Sequence, residues 1–291
     1  MTRTVRPLNG RVVVVTGAAR GLGAAMARGL AERGATVALL GREKSTLTEV
    51  RDTLPGRALC WEVDVTDEPG MEQVADDVRS RLGQTSVVVA NAGVAEGGPF
   101  AESDPAVWRR VIEVNLIGSA NSARAFLPQL RATRGYYLQI ASLASIGAAP
   151  MMSAYCASKA GVESFAHSLR AEFAHEGVGA GIAYLNWTDT DMIRDVDEHP
   201  VLRELRAHMP RPARKVYPVD EVADRMVRAV ERRSAAVYAP GWLRVMQAVR
   251  GAMPPVVTLL SKWELPRLER RTAFAATGLL GAGGSADLED R

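Results

Sequence analysis

The sequence predicts an α/β fold in which a doubly wound sheet of seven parallel strands forms a single domain. Two observations lead to this prediction. Short runs of β-branched residues alternate with longer segments of helical period, and each run is apolar throughout rather than alternating with polar residues. Continuously apolar strands are typical of a parallel sheet that helices cover on both faces. With 291 residues, of which 47% are hydrophobic, the chain is long enough to bury a substantial core.

Seven runs have the composition of buried strands. In chain order they are RVVVVT (11–16), ATVALL (35–40), RALCWEV (57–63), TSVVVA (85–90), GYYLQIA (135–141), VGAGIAYL (178–185) and AAVYA (235–239). Segments of helical period lie between them, such as 22–33, 69–82 and 153–175. Repeats of this kind form βαβ units, so we expect one Rossmann-like domain over residues 1–240.

The sequence changes character after Pro240. Five apolar residues fall on one helical stripe: Trp242, Val245, Met246, Val249 and Met253. The pair Pro254-Pro255 is expected to break this helix, and a second apolar helix is expected over 256–265. We therefore predict an amphipathic helical extension over residues 241–280 and a flexible tail over residues 281–291.

The apolar stripes of the extension need a cover, because exposed patches of this kind mark interaction sites. Three alternatives for burying these stripes stay open. The extension packs on its own domain or on a partner subunit, it closes a substrate pocket as a lid, or it inserts to a shallow depth into a membrane surface. We predict packing that also borders the pocket. Basic residues that favour the alternative of peripheral membrane contact are Arg244, Arg250, Lys262, Arg267, Arg270 and Arg271.

Composition narrows the partners and the compartment. The formal net charge is only +3 and the arginines are scattered among acidic residues, so we expect no nucleic-acid partner. Cys60 and Cys156 have neither metal-binding nor disulfide-rich spacing, and no apolar run approaches the ~20 residues of a membrane-spanning helix. We therefore expect a cytoplasmic protein. The four histidines form no pattern with acidic residues or cysteines, so no metal is expected.

The turn after the first strand has the composition of a phosphate-binding loop. Its sequence TGAARGLG (16–23) contains Gly17, Ala19, Arg20, Gly21, Leu22 and Gly23. Glycines allow a tight turn and a close backbone approach to a pyrophosphate, which binds the free N–H groups of the next helix N-terminus. Between a strand and a helix, this turn predicts a dinucleotide site.

The residues after the second strand favour NADP over NAD. An NAD site carries an acidic residue there that binds the ribose 2′-hydroxyl, whereas this chain has Leu40-Gly41-Arg42. The guanidinium of Arg42 suits the 2′-phosphate of NADP, and Arg20 is placed to flank the same phosphate. Glu43 is the rival acidic residue, but the pattern puts it inside the next helix. We predict NADP(H) as the cofactor.

Residues after the third and fourth strands complete the predicted cofactor edge. Asp64, followed by Val65, is placed either to accept a hydrogen bond from an adenine amine or to serve as a turn or N-cap aspartate. Asn91, Ala92 and Gly93 end the fourth strand, where ligands of doubly wound sheets bind.

A tyrosine and a lysine lie four residues apart in AYCASKAGVESF (154–165). Residues i and i+4 share a helix face, so Tyr155 and Lys159 are expected side by side. Subtracting the four lysines from the 36 lysines and arginines leaves 32 arginines, so a lysine in this chain indicates a specific need for an ammonium group. Ser142 ends the fifth strand with Ser145 as its competitor, and Asn115 is a buried-looking amide in an apolar helix.

These segments, in this order, resemble the short-chain dehydrogenase/reductase family over about residues 8–240. The resemblance rests on TGAARGLG, NAG, the Asn115 segment, a serine thirteen residues before the tyrosine, and YCASK. It implies that Tyr155 is the catalytic acid/base and that Lys159 is its partner, which also holds the nicotinamide ribose. It implies further that Ser142, rather than Ser145, orients the carbonyl and that Asn115 supports a water-mediated proton relay.

One segment departs from the family pattern. Where family members carry Pro-Gly-x-Val-x-Thr after the sixth strand, this chain has Leu185-Asn186-Trp187-Thr188-Asp189-Thr190. Thr190 keeps the family's threonine and is expected, with Thr188, among the cofactor contacts. Trp187 is expected to wall the nicotinamide pocket.

The implied activity is NADPH-dependent reduction of a ketone or aldehyde, reversible as alcohol oxidation. The ammonium of Lys159 is expected to lower the pKa of Tyr155 from its reference value of about 10. Met151, Met152, Val94 and the 192–209 segment suggest an apolar, adaptable pocket for a bulky apolar substrate. The resemblance also implies a homodimer or homotetramer that pairs the helices around 115–130 and 153–175.

Two other functions stay open. A 3-oxoacyl-carrier-protein reductase belongs to the same family, but its members usually end soon after the last strand, whereas this chain continues through residues 241–291. A regulatory protein that senses NADP without turnover is the alternative from another class, and the complete Asn-Ser-Tyr-Lys set argues against it.

Overall fold

The central feature of the fold is a parallel sheet of seven strands. A computed structural model describes residues 7–271 and 274–281 of the chain. The strands are β1 (Val12–Thr16), β2 (Thr36–Gly41), β3 (Ala58–Glu62), β4 (Thr85–Ala90), β5 (Ala95–Glu96), β6 (Tyr136–Ile140), β7 (Gly179–Leu185), β8 (Ala236–Ala239) and β9 (Leu279–Leu280). The order in the main sheet is β3-β2-β1-β4-β6-β7-β8, which confirms the predicted fold class, while β5 and β9 form a small antiparallel sheet.

Helices follow the strands on both faces of the main sheet. They are α1 (Gly21–Glu32), α2 (Lys44–Thr53), α3 (Glu68–Leu82), α4 (Pro105–Ile112), α5 (Gly118–Thr133), α6 (Ser153–Phe173), α7 (Asp191–Glu198), α8 (Pro200–His208), α9 (Arg211–Arg214), α10 (Val219–Arg232), α11 (Leu243–Ala248) and α12 (Met253–Glu269). On β1, Val13 and Val15 enter a core shared with α1, α2 and α10, and Val12 and Val14 enter one shared with α3 and α5. Burial on both faces explains why the strands are apolar throughout.

The strand order reverses direction at one point in the sheet. From β1 the chain builds outward through β2 to β3, and it then returns to place β4 on the other side of β1. Doubly wound sheets bind their ligands in the crevice at such a switch point, beyond the carboxyl ends of the strands. The turn over residues 16–23 follows β1, and residues 91–93 follow β4. The topology therefore brings these two predicted segments to one crevice.

The segment that carries Asn115 differs from the regular helix expected from its sequence. Residues Glu113–Ile117 form a π-helical turn between α4 and α5. Such a turn is less regular than an α-helix and occurs often at functional sites. It leaves Asn115 buried, so the amide must satisfy its hydrogen bonds inside the protein.

The extension is helical, but its prolines do not break it as predicted. Pro254 and Pro255 lie in the first turn of α12, where the missing N–H group has no helical partner in any case. The interruption comes earlier, at a 3₁₀ turn over Arg250–Ala252. Sequence reasoning treated a helix-starting signal as a helix-breaking one.

Much of the apolar surface of the extension is exposed in this chain. Val245 is 64% exposed, Leu259 59% and Trp263 64%, whereas Leu243 and Leu268 are buried. The expectation that the stripes are covered therefore holds for only one side of α11 and α12 within the described residues. Among all the residues that the structure describes, no helix is both long enough and apolar enough to cross a membrane. Apart from Gly281, the tail predicted over 281–291 lies outside the described residues.

Candidate active site

The turn between β1 and α1, which we call the glycine cradle, has glycines at three positions, 17, 21 and 23, where a larger residue would be strained or crowded. Gly17 and Gly21 have positive φ angles of 62° and 52°, a conformation that other residues adopt at a cost. A Cβ atom on Gly23 would lie 2.1 Å from the carbonyl oxygen of Gly17. The first turn of α1 has no side-chain cap and no acidic residue, so its N–H groups are available to an anion. These features fit a dinucleotide pyrophosphate.

Asn91 holds this cradle from the neighbouring strand. Its Nδ2 atom donates to the carbonyl oxygens of Thr16, at 3.0 Å, and of Gly17, at 3.2 Å. The Thr16 hydroxyl oxygen in turn accepts from the backbone N–H groups of Asn91 and Ala92. The segment predicted to contact the cofactor therefore also fixes the shape of the glycine turn.

One cavity runs along the carboxyl edge of the sheet and gathers the predicted residues. From the predicted cofactor set it is lined by Gly17, Ala19, Arg20, Gly21, Leu22, Arg42, Asp64, Val65, Asn91, Ala92, Gly93, Tyr155, Lys159, Thr188 and Thr190. Ser142 lines the same cavity, whereas Asn115 lies behind its wall. All the predicted cofactor contacts thus share a single space with three of the four predicted catalytic residues.

The rim of the cavity near β2 carries two arginines and one acidic residue. Arg20, Arg42 and Glu43 all line it. Glu43 is the residue that precedes α2, not a residue inside that helix as expected, and its carboxylate forms an ion pair with Arg20. The helix boundary could not be read from the sequence because no strong capping residue marks it. The acidic rival to NADP binding is therefore at the cavity.

Asp64 serves as a turn aspartate at the cavity wall. Its Oδ1 atom accepts from the N–H and the hydroxyl of Thr66, each at 2.8 Å, and its Oδ2 atom accepts from Arg110 at 2.5 Å. Burial acts to raise the pKa of this carboxyl, but the bonds from Thr66 and Arg110 outweigh burial and lower it. Sequence reasoning missed Arg110, because nothing near it in the chain indicates a partner 46 residues away.

Tyr155 and Lys159 lie side by side on α6, as the helical spacing predicts. The Lys159 Nζ atom lies 5.6 Å from the centre of the Tyr155 ring and donates to the carbonyl oxygen of Ile140 at 3.2 Å. Burial raises the pKa of Tyr155 to about 12, although a hydrogen bond with the Ser142 hydroxyl opposes this shift. Burial also lowers the pKa of Lys159 to about 8. In the chain without cofactor, the pKa of Tyr155 is therefore shifted in the direction opposite to the one expected, because desolvation outweighs the hydrogen bond with Ser142.

The two candidate serines have different surroundings. Ser142 caps a short 3₁₀ turn, lines the cavity and reaches Tyr155, whereas Ser145 is buried. The Ser145 hydroxyl donates to the carbonyl oxygen of Lys159 at 2.8 Å and accepts from the Ser142 N–H at 3.3 Å. Ser142 is thus placed to contact a substrate, and Ser145 ties its loop to α6.

Asn115 connects the loop after β4 to the catalytic helix. Its Oδ1 atom accepts from the Val94 N–H at 2.8 Å, and its Nδ2 atom donates to the Val94 carbonyl and to the Ser158 hydroxyl, each at 2.9 Å. Ser158 lies between Tyr155 and Lys159 on α6. The Asn115 side chain is therefore fully used in holding these two elements together.

The extension supplies part of the cavity wall, in line with the predicted packing beside the pocket, although the sequence did not identify Leu280 as the residue that does so. Leu280 is buried against a cluster that includes Met151, Tyr155, Trp187 and Met192. Pairing of β9 with β5 holds it there, and the Gly281 N–H donates to Asp195 Oδ2 at 2.8 Å. The one local indication in the sequence that this segment packs on the domain is the apolar Leu279-Leu280 pair in a glycine-rich stretch. Of the residues predicted to border the pocket, Val94 and Met192 line the cavity. Met151 and Trp187 share the Leu280 cluster with Tyr155 but do not line the cavity, so the expected Trp187 wall is not seen.

Comparisons with known proteins identify the family and several relatives of this chain. A family model described as short chain dehydrogenase matches residues 11–200. The chain is 38% identical over 188 residues to cis-4-hydroxycyclohexanecarboxylate dehydrogenase of Sinomonas cyclohexanicum, covering 63% of this chain and 75% of that protein. It is 33% identical over 169 residues to meso-2,3-butanediol dehydrogenase of Serratia marcescens, covering 58% and 67%. A solved metagenomic short-chain oxidoreductase in complex with NADP matches with a TM-score of 0.66 and 28% identity, over 80% of this chain and 98% of that one.

The buried ammonium of Lys159 should cost stability in a pH-dependent way. The folded-state pKa, about 8, lies below the reference value of 10.5, so the cost is fully present below pH 8 and disappears as the pH rises toward 10.5. Lys159→Met should therefore raise the free energy of unfolding of the cofactor-free protein at pH 7 by roughly 2 kcal/mol, with a smaller gain at pH 10. Thermal unfolding at both pH values measures this gain, with the exposed Lys44→Met as control. An equal gain at pH 7 and pH 10 would show that burial of the Lys159 charge does not cause the loss of stability.

Proposed function

The chain belongs to the short-chain dehydrogenase family, and we propose that it is an NADPH-dependent oxidoreductase that reduces a ketone or aldehyde on a bulky apolar substrate. The observation that carries this proposal is the placement of Ser142, Tyr155 and Lys159 on the wall of the cavity that also contains the glycine cradle. An acid, a carbonyl-orienting hydroxyl and a positive charge then share one space with the expected cofactor. Alcohol oxidation uses the same residues in reverse.

The protein's own groups supply orientation and a proton. NADPH, when bound, supplies a hydride to the carbonyl carbon. The hydroxyls of Ser142 and Tyr155 hold the carbonyl oxygen, and as the C=O π bond breaks, this oxygen takes the phenolic proton of Tyr155. With a pKa near 12, Tyr155 is protonated at neutral pH and ready to act as the acid. The ammonium of Lys159 stabilises the phenolate that remains.

The arginines at the β2 rim support NADPH as the preferred cofactor. Arg42 and Arg20 line the cavity beyond β2, where a 2′-phosphate extends from the adenine ribose. The NADP complex of the metagenomic relative supports the same choice. Glu43 opposes it, because its carboxylate pairs with Arg20 and must give way to the phosphate. The preference for NADPH over NADH therefore depends on two cations and one anion at this rim.

Measured affinities for NADPH and NADH test this preference without knowledge of the substrate. Arg42→Asp should weaken NADPH binding by on the order of 10- to 100-fold, because charge-assisted hydrogen bonds to the phosphate are lost. NADH binding should change little. Glu43→Gln should shift the NADPH-to-NADH affinity ratio the other way. Calorimetric titration with both cofactors measures these ratios; a wild-type preference for NADH would overturn the proposal.

Apolar residues near Tyr155, one of them from the extension, support an apolar substrate. Leu280 and Met192 line the cavity with Tyr155 and belong to the same apolar cluster, so a substrate carbonyl that reaches Tyr155 would carry its skeleton against them. The names of two relatives refer to secondary alcohols of different size. We propose a bulky, apolar carbonyl compound as substrate, with Leu280 as one limit of its size.

Changing the volume at Leu280 should change substrate preference. Leu280→Ala should raise kcat/KM for 2-decalone relative to diacetyl, and Leu280→Phe should lower that ratio, since one enlarges and the other reduces the apolar space. Shifts of roughly tenfold are expected from a few methylene groups. Leu259→Ala, on the exposed side of α12, is the matched control. Equal ratios in all four proteins would show that Leu280 does not border the substrate.

Loss of the acid should separate chemistry from cofactor binding. Tyr155→Phe removes only a hydroxyl, so it should lower kcat by roughly 10²–10⁴-fold and leave the Kd for NADPH nearly unchanged. Ser142→Ala should lower kcat more than Ser145→Ala does, because Ser142 contacts the substrate carbonyl and Ser145 acts only through the loop that it ties to α6.

NADPH and NADH oxidation with diacetyl, cyclohexanone, 2-decalone and acetoacetyl thioester provides the measurement. A kcat close to that of wild type in a folded Tyr155→Phe protein would overturn the mechanism. A wild type that binds NADPH but reduces none of these carbonyls would instead be a cofactor sensor, and one that reduces only the thioester would be an acyl-carrier reductase.

We also propose that the chain forms a homodimer or homotetramer through α5 and α6. In support, α6 exposes a line of small residues, Ala157, Ala160, Ser164 and Ala171, against which a second helix can pack closely. Ile117, next to α5, is 47% exposed. The exposed side of α12 is a second apolar surface available to a partner subunit.

A further inference from the structure

A buried carboxylate on the catalytic helix receives the extension. Glu163 of α6 is only 2% exposed and lies one turn beyond Lys159. Its Oε1 atom accepts from Tyr184 Oη at 2.7 Å, from Gln247 Nε2 at 2.7 Å and from Arg250 Nη1 at 2.6 Å. Its Oε2 atom has no hydrogen-bond partner among the described residues. A buried carboxylate needs such partners, so Arg250 is the cation that this position requires.

Arg250 also reaches the loop of the candidate catalytic serine. Its second nitrogen, Nη2, donates to the carbonyl oxygen of Ser145 at 2.9 Å. The Ser145 hydroxyl in turn donates to the Lys159 carbonyl and accepts from the Ser142 N–H. One guanidinium therefore joins the extension, α6 and the turn that presents Ser142.

Apolar contacts hold the extension on the same loop. Leu243, Trp242 and Met246 belong to one cluster with Leu143 and Ile146, which lie in the same loop as Ser145. A Cβ atom on Gly147 would lie 3.3 Å from Met253, so the chain after the loop also passes close to α12. The loop is thus fixed by the extension on its outer side and by Ser145 on its inner side.

We propose that Arg250 is a positioning residue that holds Ser142 against Tyr155 by bridging Glu163 and the Ser145 carbonyl. The inference rests on the proposed function, in which Ser142 and Tyr155 hold the substrate carbonyl. Without the bridge, the Ser145 carbonyl loses its charged donor, and the Ser142 turn gains freedom of movement. Small losses of alignment at reacting groups reduce kcat strongly, whereas cofactor binding at the glycine cradle is unaffected.

The central variant is Arg250→Gln, with the exposed Arg244→Gln of α11 as matched control. With cyclohexanone as the probe, Arg250→Gln should lower kcat by roughly tenfold to a hundredfold, with KM and the Kd for NADPH within about threefold of wild type. Arg250→Lys should recover part of kcat, because an ammonium still pairs with Glu163. An unchanged kcat in Arg250→Gln would overturn the proposal, as would an equal loss in Arg244→Gln.

A second variant separates positioning from the cost of an unpaired buried charge. In Arg250→Gln/Glu163→Gln the carboxylate is neutral, so folding stability should return, but the charged donor to the Ser145 carbonyl is still missing. We expect kcat to stay low in this protein. Recovery of wild-type kcat together with stability would show that Arg250 acts only on the stability of the fold.

Hydrogen exchange distinguishes failure of this inference from failure of the proposed function. Arg250→Gln should speed amide exchange in peptides covering 142–147, a readout that needs no turnover. Faster exchange in a protein whose wild type reduces no carbonyl would support the bridge and overturn the proposed function. Unchanged exchange in a protein whose wild type is active would overturn the bridge alone.

Discussion

The buried side of α6 is the constraint on which the rest of the site depends. One helical period places Tyr155, Ser158, Lys159 and Glu163 on successive turns facing the protein interior. Together they reach three other parts of the protein: Tyr155 meets the serine loop at Ser142, Ser158 meets Asn115, and Glu163 meets the extension. The carbonyl of Lys159 accepts from Ser145. A shift of α6 along its axis would therefore disturb the cavity, the serine loop and the extension together.

Two opposite charges are buried four residues apart on this helix, and each is balanced by different groups. Lys159 donates to a main-chain carbonyl at the end of β6, and burial lowers its pKa. Glu163 takes donors from β7 and from the extension. The ammonium destabilises the chain, since desolvation favours its neutral form, and this cost is of the kind found where a residue is kept for chemistry. The carboxylate instead fastens the extension, because the guanidinium paired with it at 2.6 Å belongs to Arg250, whereas His167 of α6 lies 3.9 Å from the same oxygen.

The sequence predicted what depends on local patterns and missed what depends on distant contacts. The strands of the main sheet lie within one or two residues of the predicted runs, because each apolar run ends at polar or turn residues. The predicted cofactor residues gather in one cavity because topology alone brings the carboxyl ends of β1 and β4 together. The sign of the pKa shift at Tyr155 was wrong because burial cannot be read from a motif. The ion pair of Arg20 with Glu43 and the roles of Arg110 and Leu280 were missed because each depends on residues far apart in the chain.

The extension acts on the site from two sides, which explains how one segment combines packing with a role at the pocket. On one side, Leu280 of β9, which follows α12 in the chain, reaches the cavity through the pairing of β9 with β5. On the other side, Arg250 reaches the Ser142 turn just before α12 begins. Since α12 connects these two contacts, its exposed apolar side lies between the serine loop and the substrate wall in the chain. Within α12, the close approach of Met253 to Gly147 and the burial of Leu268 hold the two ends of the helix, while Leu259 and Trp263 between them stay exposed.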